Sequence, residues 1–335
     1  MDARKILQRY AALIAFTTFL TLDLVMFGAF VRLTDSGLGC PDWPGCYGKL
    51  TPFGALGDIR AAVEVLPDGP VTVFKAWVEM IHRYVGTVLG MLIIAIVFMA
   101  WRYRRVLQQS PTLASWILPV VCLQGAFGAW TVTHKLMPIV VTTHLLGGLA
   151  VLGLLTWLLA RQRPRPAHAF QRRAWRGWRV LGLVLLGIQV FLGGWVSTNY
   201  AALACMDFPT CHGDWIPEMD FQAGFSFNRA LGLLPSGELI SQSALTAIHW
   251  VHRTFAWLVL GYLAWLGWRF RSEPALRRPA SLLLGFLALQ VATGLTSIFL
   301  QWPLAIAVLH NGGAAALTMT CVTLLVRLGS ATERV

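Results

Sequence analysis

Eight windows of about 20 predominantly apolar residues take up most of this 335-residue chain, at roughly 11–31, 76–100, 113–133, 138–160, 178–198, 244–268, 281–301 and 303–327. A helical window of that length matches the hydrocarbon thickness of a bilayer. Inside hydrocarbon every backbone N–H and C=O needs a partner within the chain, so each window is predicted to be a helix. Composition agrees: 56% of residues are hydrophobic and 13% charged, with mean hydropathy +0.63, whereas soluble domains carry about a quarter charged residues. The expectation is an all-α integral membrane protein with eight transmembrane helices, and a soluble enzyme or scaffold is excluded.

The formal charge of +12 comes from 27 Lys and Arg against 15 Asp and Glu. In a soluble chain it would suggest nucleic acid; here position decides. With the N-terminus cytoplasmic, 19 of the 27 fall on the inner side: Arg4, Lys5 and Arg9; Arg102, Arg104 and Arg105; seven Arg between 161 and 179; Arg269, Arg271, Arg277 and Arg278; Arg327 and Arg334. Most acids, among them Asp35, Asp42, Asp58, Asp207, Asp214 and Glu238, fall outside. The positive-inside rule then predicts both termini in the cytoplasm of a bacterial inner membrane and two long segments, 32–75 and 199–243, on the outer face. The run Arg161-Gln-Arg163-Pro-Arg165 is read as an anchor facing anionic lipid, not a nucleic-acid site. The first apolar stretch follows Arg4, Lys5 and Arg9 as a signal would, but shows no small-residue cleavage pattern before Arg32 and is expected to stay.

The chain is written twice. An offset of about 165 brings Cys40 onto Cys205 and Cys46 onto Cys211; His82 pairs with His252 and His144 with His310 at offsets of 170 and 166. Ile81-His82-Arg83 matches Val251-His252-Arg253, His144-Leu-Leu-Gly147-Gly148 matches His310-Asn-Gly312-Gly313, and Leu123-Gln124-x3-Gly128 matches Leu289-Gln290-x3-Gly294. An even number of spans per unit makes the repeat parallel. The expected architecture is two four-helix bundles, residues 1–165 and 166–335, related by a pseudo-two-fold along the membrane normal.

A histidine within a membrane span is costly and by default faces the bundle interior. His82 and His144 sit six residues into the first half's second and fourth windows, and His252 and His310 eight and seven into their counterparts. Two imidazoles at equal depth on neighbouring helices can clamp a haem from both faces, so one bis-histidine site per half is predicted. A packed core histidine is the bland reading of any one of them, and zinc, which prefers four donors, an alternative ligand. Gly86, Gly90, Gly147, Gly148, Gly312 and Gly313 would leave room for a porphyrin or merely allow close helix packing. Arg83 and Arg253 each follow a proposed ligand and could meet haem propionates or snorkel to headgroups. His134, His168 and His212 lie in loops and need no site.

The halves differ one turn outward from the first ligand: Glu79 in the first half stands where His249 does in the second. A carboxylate there points to proton chemistry in the first half only, with an ion pair to Lys75 or Arg83 as the competing account. His249 is a candidate alternate ligand. The C-x5-C pairs lie in the outer segments, in an oxidising compartment, so the disulfides Cys40–Cys46 and Cys205–Cys211 are expected; Cys122 and Cys321 are read as apolar packing residues.

Taken together, Val31-Arg-Leu-Thr34-Asp-Ser-Gly37-Leu, Pro41-Asp42-Trp43, Glu79-Met-Ile-His82-Arg83 and the four duplicated histidines resemble the haem A synthase family, over roughly residues 10–328. The resemblance implies an oxidoreductase that converts the C8 methyl of haem O to the formyl group of haem A for cytochrome oxidase assembly, by successive hydroxylation. It implies a haem b cofactor on His252 and His310, substrate haem O on His82 and His144, and a required carboxylate at Glu79. A haem O synthase as supplier and an electron donor of unspecified identity would be the partners. Two other classes compete. A di-haem b-type electron carrier explains the four histidines but not the Glu79 and His249 difference, and a haem or small-molecule transporter is disfavoured by the parallel repeat.

Overall fold

The computed structural model describes residues 2–162 and 175–329. Among them no strand forms; there are three isolated bridges, Cys46 with Lys49, Cys211 with Asp214 and Leu233 with Leu239. The helices in chain order are α1 (Ala3–Leu33), α2 (Leu56–Val65), α3 (Val73–Arg102), α4 (Arg104–Leu107), α5 (Thr112–Thr133), α6 (Pro138–Arg161), α7 (Arg176–Thr198), α8 (Phe221–Gly224), α9 (Gln242–Arg271), α10 (Arg277–Phe299) and α11 (Leu304–Gly329). Side-chain caps set several starts. Asp2 accepts the Arg4 N–H, Thr72 the Lys75 N–H and Ser241 the Ala244 N–H, while Pro138 opens α6 where its missing N–H costs nothing.

Seven helices are long and apolar enough to cross a membrane: α1, α3, α5, α6, α7, α10 and α11. The protein is therefore a multi-pass membrane protein. α9 has 30 residues but lower hydropathy, because it carries His249, His252, Arg253 and four tryptophans. The helices extend past the predicted windows, and α3 begins at Val73, three residues early, so that His82 lies nine residues in while His144 remains six into α6. Equal counting from the helix starts is thus not what matches the two histidines. The segment 32–75 also contains α2, whose Leu56, Ile59 and Val63 share one helix face although only Ile59 is buried.

α1, α3, α5 and α6 pack in a closed ring of neighbours, and α7, α9, α10 and α11 pack in another; the rings meet where α1 touches α11, α6 touches α7, and α6 touches α11. Each ring has its own core. Ile14, Ile93, Ile117 and Leu155 lie in the first, and Leu263, Leu283, Leu287 and Leu317 in the second, the latter joined by Leu149 and Leu152 from α6. Between lipid-solvated helices such packing acts through close contact and hydrogen bonds, not water release. Buried Thr17, Thr18 and Thr21 accordingly return their hydroxyl protons to carbonyls four residues back. Where α1 ends, Arg32 pairs with Asp35 (3.0 Å) and donates to the Ser197 carbonyl, while Tyr200 donates to Asp35. These contacts tie the C-terminal ends of α1 and α7.

Arg163, Arg165, His168 and the expected boundary at 165–166 fall outside the described residues, as does Arg334. Cys321 is buried as expected, but Cys122 is exposed, facing away from the packed side of α5.

Candidate functional site

Each of the four histidines lies against a glycine of a neighbouring helix. A methyl group placed on Gly28 (α1) would stand 3.1 Å from His82 Nε2 on α3, and one on Gly128 (α5) 3.2 Å from His144 Cε1 on α6. In the second ring a methyl on Gly193 (α7) would meet His252 Cε1 on α9 at 2.9 Å, and one on Gly294 (α10) His310 Cε1 on α11 at 3.5 Å. His82 and His144 are within electrostatic reach of each other, and so are His252 and His310. All four histidines are half-buried residues whose rings are enclosed by helices. Gly86 and Gly90 likewise face open space, whereas Gly147 and Gly313 receive the side chains of Gln124 and Gln290. Those two amides donate to the His144 and His310 carbonyls at 2.7 and 2.9 Å. Paired imidazoles beside glycine clefts suit a flat macrocycle bound through two axial nitrogens.

The glycines at 28 and 193 were missed by sequence reasoning. They share the offset of 165 that aligns the cysteines, so a column-by-column comparison of α1 with α7 could have found them. Gly193→Ala is expected to push His252 from its place, because a β-carbon at 2.9 Å has no room against a ring held within a helix bundle. Haem recovered with the purified protein should fall at least about tenfold, as for loss of ligand orientation at metal sites, while Gly187→Ala, where the added methyl meets nothing within 4 Å, serves as the neutral control.

Over the N-terminal ends of α3 and α9 sit two caps built alike. Disulfides join Cys40 to Cys46 and Cys205 to Cys211, with Cα atoms 4.9 and 5.0 Å apart. Asp42 accepts the Tyr47 and Gly48 N–H groups, and Asp207 accepts those of His212 and Gly213 together with the Thr210 hydroxyl. Burial works against the Asp207 carboxylate, but the donors from Gly213, Thr210 and His212 hold its pKa well below the usual carboxylate range. A depressed carboxyl adds stability above its unfolded pKa and loses it as pH falls through the folded value, so this turn weakens only in strong acid.

Glu79 is buried and fully engaged: Oε2 accepts the Cys40 N–H at 2.8 Å and Oε1 accepts from Arg83 Nη2 at 2.5 Å. Of the two ion pairs weighed from sequence, the one with Arg83 forms. Arg83 Nη1 also donates to the carbonyls of Asp42, Pro44 and Gly45, so its guanidinium is occupied by the cap. Arg253 repeats the pattern incompletely. Its Nη2 donates to the Asp207 and Thr210 carbonyls, while its buried Nη1 has no partner. His249 replaces Glu79 in kind, its Nδ1 accepting the Cys205 N–H at 3.3 Å with the Ala201 backbone also in reach of the ring. Its contacts are those of a cap anchor, not of a third ligand.

The polar surroundings of the histidine rings also differ between halves. His252 Nδ1 lies 3.1 Å from the Gln189 amide and His310 Nδ1 lies 2.8 Å from the Thr293 hydroxyl. His144 Nδ1 has no hydrogen-bond partner, the Gln124 backbone lying only in weak reach of the ring, and His82 has the Leu24 backbone in reach.

Residues 11–322 match the COX15-CtaA family model, described as cytochrome oxidase assembly protein. The chain is 40% identical to the Heme A synthase of Shewanella oneidensis over 331 residues, which covers 96% of this chain and 98% of the relative. It is 29% identical to the Heme A synthase of Caulobacter sp., covering 91% of both chains, and 26% identical to that of Halalkalibacterium halodurans, covering 70% and 73%. Coverage this complete, running through both caps and all four histidines, makes the chain a member of the COX15-CtaA family.

Proposed function

We propose that this protein is a haem A synthase: a membrane oxidoreductase that oxidises the C8 methyl of haem O to the formyl group of haem A, for assembly of cytochrome oxidase. The single observation that carries this reading is the pair of histidine couples, each ring set beside a glycine, joined to an asymmetry in which only the first couple has a carboxylate, Glu79, one turn away. The architecture it assumes is eight transmembrane helices in two parallel units, residues 1–165 and 166–335. The two rings of helices, with contacts exchanged pairwise between α1–α11 and α6–α7, support it.

Substrate haem O is assigned to His82 and His144. The methyl group is oxidised by four electrons in two hydroxylations. With molecular oxygen as oxidant, each step inserts one oxygen atom while two electrons from the donor and two protons carry the other off as water. With water as the oxygen source, each step passes two electrons and two protons to an external acceptor. The resulting diol loses water to give the aldehyde. Glu79, one turn from His82, would hold negative charge near the substrate and move a proton, with Arg83 and the Cys40 N–H keeping the carboxylate oriented. The resident cofactor is assigned as haem b on His252 and His310, where it supplies one-electron transfer. The donor set fits it: two imidazoles, a glycine beside each, and a buried Arg253 Nη1 still open to a propionate. The chain is placed in a bacterial inner membrane with both termini cytoplasmic, the caps outside, haem O delivered through lipid or by a haem O synthase, and electrons from a separate donor.

Expression with and without a haem O supply, followed by detergent purification and chromatographic identification of the extracted haems, tests this reading. Haem A or its hydroxylated precursor beside haem b, only when haem O is supplied, is the expected result. Haem b alone under both conditions would favour a di-haem electron carrier.

A further inference from the structure

The two histidine couples are alike in fold but unlike in what holds their rings. Thr293 Oγ1 donates its proton to the Leu289 carbonyl at 2.7 Å, so toward His310 Nδ1, 2.8 Å away, it can only accept. Accepting there places the imidazole proton on Nδ1 and leaves the Nε2 lone pair for iron. At His252 the Gln189 amide lies 3.1 Å from Nδ1, and its oxygen has no other partner. The same amide also donates to the His252 carbonyl at 3.2 Å, so it bridges the ring and the backbone of that residue.

At the corresponding places in the first half, at the offsets of 166 and 165, stand Phe127 and Leu24. Phe127 packs its ring edge against Trp130 at 5.0 Å and has nothing to give His144 Nδ1, which is left without a partner. His82 differs from His144 in having the Leu24 backbone within hydrogen-bond reach of its ring.

We infer that Thr293 is a positioning residue that helps make the second half a permanent haem site, and that Phe127, at the corresponding place in the first half, leaves His144 Nδ1 without a partner so that the first half releases its haem. The inference rests on the proposed function, in which one site keeps a cofactor while the other must discharge product at each turnover. A ligand whose second nitrogen is hydrogen-bonded is fixed in orientation and more basic, and losing such a partner typically lowers metal affinity about 10–100-fold.

The test uses the full chain purified with its haems. In Thr293→Val, transfer of haem b to apomyoglobin should quicken about 10–100-fold. The haem b midpoint potential should rise, because a less basic imidazole favours the ferric state less, and Thr293→Ser should restore both. Phe127→Thr should slow release of haem from the first site by a comparable factor. Wild-type transfer and potential in Thr293→Val, or wild-type release in Phe127→Thr, would overturn the inference while leaving the proposed function standing. A native protein carrying no haem b would overturn both.

Discussion

Glu79→Gln is expected to keep haem b and lose haem A. Glutamine retains an oxygen able to accept the Cys40 N–H, so the first cap should stay in place, but it removes the negative charge now held by Arg83 Nη2. If the carboxylate moves a proton or stabilises positive charge at the oxidised methyl, turnover should fall by about 10²–10⁴-fold. Chromatography of the extracted haems reads it directly, as unconverted haem O beside a normal amount of haem b. Turnover equal to the native protein would remove Glu79 from the chemistry and leave it as the anchor of a loop. Glu79→Ala separates the two roles, since it also breaks the hydrogen bond to Cys40. An added loss of stability in Ala over Gln measures the anchor, on the order of 1–3 kcal/mol for a buried donor left unpaired.

The second large effect belongs to the other half. Removing either His252 or His310 as Ala should take haem b from near one per chain to near none, with the reduced b-type absorption band lost, because bis-histidine ligation leaves the iron few other protein contacts. The same substitution at His82 or His144 should leave that band intact while abolishing conversion of haem O. Equal loss from all four variants would mean that the halves do not divide the work, and normal haem b in His252→Ala would refute the assignment of cofactor to the second ring.

Both predictions draw on the same division of legibility. The eight apolar windows, the duplicated C-x5-C pairs and the four histidines were plain in the sequence, because span length, cysteine spacing and costly residues within apolar runs are local properties of the chain. The disulfides followed from spacing and side. α2 carries a helical apolar spacing in Leu56, Ile59 and Val63 that the reading of a turn-rich segment passed over. The full occupancy of Arg83 by the cap was not legible, since it needs three carbonyls some 40 residues away in sequence.

What tertiary structure alone decided is which face of each helix meets which neighbour. In a soluble helix the apolar stripe announces the buried face, but here lipid and core are both apolar, so hydropathy carries little record of helix rotation. The contacts that matter are therefore unmarked: Gly28 and Gly193 under the imidazoles, and Gln189 and Thr293 beside two ring nitrogens. By itself the sequence determined that the protein is an all-helical membrane protein and where its cysteine pairs and span histidines lie along the chain. Packing decided which of those residues face each other and how firmly each is held, because that depends on interhelical distances that no single stretch of chain encodes.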